Sequence, residues 1–138
     1  MFGSRPLLST LGLALVAVVM ISCGSSSIPD AGRVLLSIAV TPSAADPQGG
    51  QVVFTANGTF SVAPSPAVVT FAVPYTGGFV VATNSSGQEI ATIVATGAGT
   101  ATVQCVAGMS GTVEVGATAL ANNGTATTVS GIAQIKCP

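Results

Sequence analysis

From residue 33 onward the chain consists of short runs in which apolar and polar residues alternate. The runs are built from Val, Thr, Ala, Ser and Gly, show no 3.6-residue periodicity, and are separated by turn-forming residues. Because successive side chains of a strand point to opposite faces, this pattern predicts strands rather than helices. The predicted strands are 34–41, 51–60, 67–73, 78–83, 89–95, 100–107, 112–120 and 128–137.

Alternate positions in these strands predict a core made mostly of small aliphatic residues. The inward-facing positions are Leu36, Ile38, Val40, Val52, Phe54, Ala56, Phe60, Val69, Phe71, Val73, Ala101, Val103, Cys105, Val113, Val115, Ala117, Ala119, Val129, Ala133, Ile135 and Cys137. Such side chains predict a thin core between two closely apposed sheets. The spacing of strands and turns therefore favours an all-β sandwich over a barrel with a ligand cavity.

The first 22 residues have the pattern of an export signal. Arg5 precedes an apolar run over residues 7–21, and small residues follow that run. The run is shorter than the roughly 20 apolar residues that a transmembrane helix needs. We therefore expect residues 1–22 to be a cleaved signal peptide, with a retained signal anchor as the alternative.

The segment Met20-Ile21-Ser22-Cys23 resembles the lipobox of bacterial lipoproteins, with Met where Leu is more usual. The resemblance implies that Cys23 becomes the lipidated first residue of the mature chain, so that the protein meets the membrane through a lipid anchor. Residues 23–32 then form a flexible tether, and residues 33–138 form the folded domain. The alternative is an ordinary signal peptide followed by a free thiol.

The chain has three cysteines, and an odd number in an exported protein requires an explanation. With Cys23 as the lipid site, Cys105 and Cys137 remain, and a structural disulfide is the expectation for such a pair. Both fall on apolar strand faces, as an internal bridge requires. Metal ligation and a catalytic thiol are the competing interpretations. The absence of His from the chain weakens both interpretations, because a zinc site would lack half of its usual ligands and a nucleophilic Cys would lack an activating imidazole.

Charge is scarce, with three Lys and Arg against four Asp and Glu. The cations Arg5, Arg33 and Lys136 are too scattered to form the clustered basic face that nucleic-acid binding needs, so we expect no nucleic-acid partner.

The carboxylates offer little to catalysis or metal binding. Glu89 and Glu114, the two left for a glycosidase pair, are predicted on solvent-facing positions, and Asp46 alone does not make a calcium site. A serine triad lacks its histidine base. We therefore expect no enzymatic activity, no cofactor and no metal.

Tyr75 and Phe79, beside Gly77-Gly78, form the candidate recognition loop, because an exposed aromatic ring there would stack on a sugar or a partner protein. The alternative is that Phe79 closes one end of the core. The Asn-Gly pairs at 57–58 and 123–124 are predicted to be turn or bulge positions with positive φ.

The order of several short motifs resembles bacterial immunoglobulin-like domains of group 2. The opening motifs lie at residues 37–42, 50–56 and 69–71, and the closing ones at 99–103, 107–108, 111–113 and 117–119. The resemblance covers about residues 35–120, although the family often has Trp where this chain has Phe71. It implies an immunoglobulin-like sandwich of seven to eight strands and carries no catalytic residues. Residues 122–138 go beyond the usual repeat and predict an added strand tied back by Cys137.

Together these features predict a non-enzymatic, lipid-anchored module at the bacterial cell envelope, with the outer membrane or cell surface as its place. Its function would be adhesion or contact with an envelope protein or glycan that the sequence does not identify. The alternative is a structural subunit that self-assembles through its sheet edges, because the predicted strands lack the edge charges that block such pairing.

Overall fold

Two sheets face each other across one apolar core. The computed structural model describes residues 32–48 and 50–138. In this part of the chain the strands are β1 (Leu35–Thr41), β2 (Ala44–Ala45), β3 (Gln51–Phe60), β4 (Ala67–Val68), β5 (Gly77–Val81), β6 (Ala91–Gly97), β7 (Thr100–Cys105), β8 (Gly111–Leu120) and β9 (Thr128–Cys137). The predicted all-β sandwich is confirmed, and β2 is a ninth strand that the sequence pattern did not predict. The predicted signal peptide, Cys23 and the tether up to residue 31 lie outside the described residues.

The nine strands divide into two sheets. The first has the order β1-β3-β7-β6, with β4 attached to β3, and the second has the order β2-β9-β8-β5. Strands β8 and β9 pair antiparallel over their full length, and the short strand β2 pairs parallel to β9. The segment predicted as an added strand is therefore internal to its sheet, because β9 has a partner on each side.

The core follows most of the predicted inward positions. Phe54, Val103, Val115 and Ile135 are fully buried at its centre, and Ala residues surround them. Val52, Phe71, Cys105 and Val129 pack against this cluster but are only half-buried. The alternation thus predicted the inner faces of β3, β7, β8 and β9, where pairing is regular.

Leu36 is a wrong prediction at the start of β1. Its side chain is 57% exposed, whereas Leu35 is 1% exposed and occupies the core. The cause is a register shift between Leu35 and Ser37 opposite β3, which reverses the inward and outward alternation at this point.

The predicted strand 67–73 is also largely wrong. Only Ala67–Val68 pairs with β3, and Val73, predicted to face the core, is 88% exposed. Val69 still donates its backbone N–H to Ala56 O in β3. The bond from Ala72 N to Thr70 O is local, so the chain has left the sheet at that point. Pro74 then follows, and it has no N–H with which to resume a ladder.

A disulfide joins Cys105, the last residue of β7, to Cys137, the last residue of β9, with an S–S distance of 2.02 Å. These strands belong to different sheets, so the bond clamps the sandwich at the end that we call the disulfide end. The chain-entropy model assigns about 3 to 4 kcal/mol to a crosslink with this 32-residue separation.

The Asn-Gly pair at 57–58 is not a turn, contrary to the prediction. Gly58 is buried within β3, and its φ is not positive. A Cβ at this position would lie 2.6 Å from Leu35 Cδ1 and 2.7 Å from Val69 Cγ2, so glycine is there because the core has no room for a side chain. The other pair does lie in a loop, where Gly124 has φ +78°.

We expect Gly58→Ala to destabilise the fold by about 1 to 3 kcal/mol, because overpacking a filled core displaces its neighbours. The matched control is Gly78→Ala on β5, where an added Cβ meets nothing within 4 Å and φ is not positive. Urea unfolding of the purified full chain measures both. Equal midpoints for the two variants would contradict the packing argument.

Candidate functional site

The end of the sandwich opposite the disulfide is where the described chain begins, and we call it the amino-terminal end. Leu35 opens β1 opposite Phe60, the last residue of β3, and its N–H donates to Ala121 O, just after β8. This end therefore gathers residues 32–34 with the loops 61–66, 69–76 and 121–127.

Arg33 organises the loop that follows β3. Its guanidinium carbon lies 3.7 Å from the centroid of the Phe60 ring, and its Nε donates to Val62 O at 3.3 Å. Its Nη2 donates to Pro64 O. A cation over an aromatic face contributes about 0.5 to 1 kcal/mol at an exposed site. One side chain thus holds the loop and covers the end of the core.

The backbone carbonyl of the same residue ties two further loops together. Arg33 O accepts a hydrogen bond from the Tyr75 hydroxyl at 2.8 Å and another from Asn122 Nδ2 at 3.0 Å. Asn122 has φ +57°, a left-handed conformation that Asn adopts more readily than most residues. The Tyr75 ring also packs edge-on against Phe60, with the centroids 5.3 Å apart.

The prediction that Tyr75 is exposed is wrong, since its side chain is only 4% accessible. The ring fills the end of the core, and the hydroxyl has the carbonyl partner that a buried Tyr requires. Phe79 lies on β5, where it is half-buried and packs edge-on against Phe71 at 5.4 Å. Phe79 also packs against the core cluster.

A cavity of about 200 Å³ opens at the amino-terminal end. Its lining residues, which are apolar or neutral apart from one cation, are Arg33, Phe60, Val68, Thr70, Ala72, Val73 and Tyr75. The rim carries Val73, the most exposed large hydrophobic side chain of the described residues. The cavity thus combines an apolar rim with a cation that is already held by backbone carbonyls.

A second candidate surface is the outer face of the β1-β3-β7-β6 sheet, which is uncharged and mainly polar, with Val53 exposed on it. Thr41, Thr55 and Thr100 form a row across three adjacent strands, because Thr55 pairs with each of the other two. Asn57 Nδ2 donates to Thr41 Oγ1 at 2.9 Å, and Gln51 Nε2 donates to Gln104 Oε1 at 3.2 Å. Such a face offers hydroxyl and amide groups to a partner without attracting either sign of charge.

The carboxylates are dispersed. Asp46, Glu89 and Glu114 are all exposed. Glu114 lies on the outer face of β8 beside a groove of about 200 Å³, and Glu89 lies just before β6 in the other sheet and does not line that groove.

Residues 32–48 and 50–138 contain neither a cluster of metal ligands nor a membrane-spanning helix. No group of three or more His, Cys, Asp or Glu residues there is arranged to hold a metal ion. No helix in that part of the chain has the length and apolarity to cross a bilayer.

Arg33 and Asn122 have structural roles that the sequence pattern does not predict. In the sequence, Arg33 is one of three scattered cations, and Asn122 is the first residue of the segment beyond the immunoglobulin-like repeat. Their place in the sequence could have indicated these roles. Each residue flanks a long apolar strand, where a polar residue can bond to backbone groups that the ladder leaves unpaired.

Comparison with known proteins shows no family for this chain. No family model matches the chain, and no curated protein matches it. The chain is similar to the structure of surface layer protein SbsC, domains 1–6, at 18% sequence identity and a TM-score of 0.43. The match covers 77% of this chain and only 13% of that one.

We expect Tyr75→Phe to lower the free energy of unfolding by about 1 kcal/mol, because it removes one hydrogen bond to Arg33 O and keeps the ring. Tyr75→Ala also removes the ring from Phe60, for a loss of about 3 to 5 kcal/mol. The exposed neighbour Thr76→Ala is the matched control. Urea unfolding of the full chain measures all three, and a Tyr75→Phe midpoint equal to that of the parent chain would refute the role of the hydroxyl.

Proposed function

We propose that this chain is an exported, lipid-anchored, non-enzymatic immunoglobulin-like module of the bacterial cell envelope. In this proposal the domain contacts an envelope protein or a glycan, as an adhesion module does. The membrane is its second partner, through acyl chains on Cys23. No cofactor, metal or nucleic acid takes part.

The observation that carries the proposal is the bond between Cys105 and Cys137. Disulfides form and persist in oxidising compartments outside the cytosol. This bond therefore supports export, as does the apolar leader that precedes Cys23. The remaining cysteine is the one in the lipobox-like segment, so each of the three thiols has an assigned chemistry.

The strand order supports the immunoglobulin-like assignment. Immunoglobulin constant-type sandwiches place strands A, B, E and D in one sheet and C, F and G in the other. When the two-residue strands β2 and β4 are left out, the remaining seven strands correspond in chain order to A through G. The sheet β1-β3-β7-β6 then has the order A-B-E-D, and β9-β8-β5 has the order G-F-C. The short parallel strand β2 extends the second sheet beyond β9.

The chemistry of the surface favours contact over catalysis. The chain has no His, and the carboxylates Asp46, Glu89 and Glu114 are exposed and dispersed. The uncharged row of Thr41, Thr55 and Thr100 favours a partner recognised by neutral hydrogen bonds, such as a glycan or the polar surface of a protein.

The intact mass of the protein extracted from native membranes tests the proposal. We expect a chain that begins at Cys23, is heavier by acyl-glyceryl groups, and gains two hydrogens on reduction of the Cys105–Cys137 bond. Cys23→Ser is the control and should abolish the lipid mass without affecting the disulfide. A processed chain without lipid, or an uncleaved chain, would overturn the lipoprotein assignment.

Self-assembly through a sheet edge is the second candidate function, and β5 is the observation that favours it. This five-residue strand pairs only with β8, has no charged residue and no bulge, and exposes Val80. The corresponding edge of the other sheet, β6, carries a register shift between Ile93 and Ala95, a feature that hinders pairing with another chain.

If β5 pairs with another copy, the mass of the full chain in light scattering will rise with concentration, and Val80→Lys will abolish the rise because a charged edge resists pairing. The matched control is Val94→Lys on β6, which should leave the rise intact. A constant monomer mass in the parent chain rejects this second function.

A further inference from the structure

We propose that the amino-terminal end of the sandwich rests on the lipid surface, with the side chains of Val62 and Val73 in contact with the membrane. This inference rests on the lipid anchor of the proposed function and adds an orientation: the loops 61–66 and 69–76 face the bilayer, and the disulfide end faces away from it.

Three of the exposed large aliphatic side chains lie at or beside the cavity at this end. Val73 is 88% exposed, Val62 is 55% exposed and Val68 is 46% exposed. Val68 and Val73 line the cavity beside Arg33, whose Nε is bonded to the carbonyl of Val62. Neither loop contains a charged residue. Apolar side chains on uncharged loops gain free energy when a bilayer removes them from water.

The three carboxylates of the described residues lie away from this end. Glu89 is next to Ile90, whose carbonyl is 3.6 Å from Cys137 Sγ at the disulfide end. Asp46 follows β2, which pairs with Ile135 near the same end. Glu114 pairs with Gln134 on the second sheet. A carboxylate close to an anionic lipid surface is repelled, so this distribution favours an approach by the amino-terminal end. The charged residue that the structure places at this end is a cation, Arg33.

The length of the connection to Cys23 favours the same orientation. Cys23 and Gly32 are nine positions apart, and fully extended this connection spans at most about 32 Å. A ten-residue strand such as β8 is itself about 33 Å long. The tether therefore brings the amino-terminal end to the membrane with slack, whereas the disulfide end would reach it only if the tether ran fully extended along the whole domain.

Single tryptophan reporters test the orientation, because the chain contains no Trp. The full chain carrying Val73→Trp is placed through its own anchor in phosphatidylcholine vesicles whose acyl chains are brominated near the headgroups. Because Trp settles at the membrane interface, we expect its emission to fall about twofold relative to vesicles without bromine. The matched control, Ser86→Trp, lies in the exposed turn that precedes Glu89, and its emission should stay unchanged.

Two further variants guard against artefacts. Val62→Trp is a second reporter on the other loop and should be quenched in the same way. Val62→Asp in the Val73→Trp chain should reduce the quenching, which shows that the native loop, and not the inserted indole alone, makes the contact.

Flotation of the same vesicles separates the outcomes. If the chain floats and neither Trp is quenched, or if both ends are quenched equally, the orientation is overturned while the lipid anchor stands. If the parent chain does not float with the vesicles, the anchor itself fails and the orientation fails with it. Quenching of Val73→Trp and Val62→Trp without Ser86→Trp supports the proposal.

Discussion

The covalent bond between β7 and β9 is the constraint on which the rest of this sandwich depends. The core between the sheets is thin, because most of its members are Ala and Val, and Phe54 is the largest of the fully buried side chains. Small side chains bury little apolar area, so the hydrophobic contribution to each strand is modest. The Cys105–Cys137 bond joins an inner strand of one sheet to an inner strand of the other. It therefore limits separation of the two sheets at the disulfide end.

The opposite end is held by a different interaction, and a single residue provides most of it. Arg33 places its guanidinium over Phe60 and binds the loop after β3, while its own carbonyl accepts hydrogen bonds from Tyr75 and Asn122. Each of these interactions is modest alone, but together they connect three loops that have no ladder between them. The domain is thus closed covalently at one end and by polar contacts and aromatic packing at the other.

The two ends of the domain also differ in the side chains that they expose. Aliphatic loops without carboxylates lie at the amino-terminal end, and Asp46 and Glu89 lie toward the disulfide end. The sheet face with the row of Thr41, Thr55 and Thr100 runs between the ends and stays uncharged. A domain tethered by its amino terminus would present that face sideways and its disulfide end outward. A neutral hydrogen-bonding face suits a partner that carries hydroxyl or amide groups.

The alternation of apolar and polar residues by itself determined most of the strands of this protein and most of its core. The predicted strand 128–137 coincides with β9, and 112–120 differs from β8 by one residue, because neither strand contains a bulge and more buried and more exposed positions alternate along each. The pair of cysteines on apolar faces was also visible in the sequence. Only the tertiary structure decided where the alternation fails. A register shift opposite β3 places Leu35, and not Leu36, in the core. Because β4 ends at Val68, Val73 is exposed to solvent. Tyr75 is buried because its hydroxyl meets a carbonyl 42 residues earlier in the chain, and no local pattern specifies a contact of that separation.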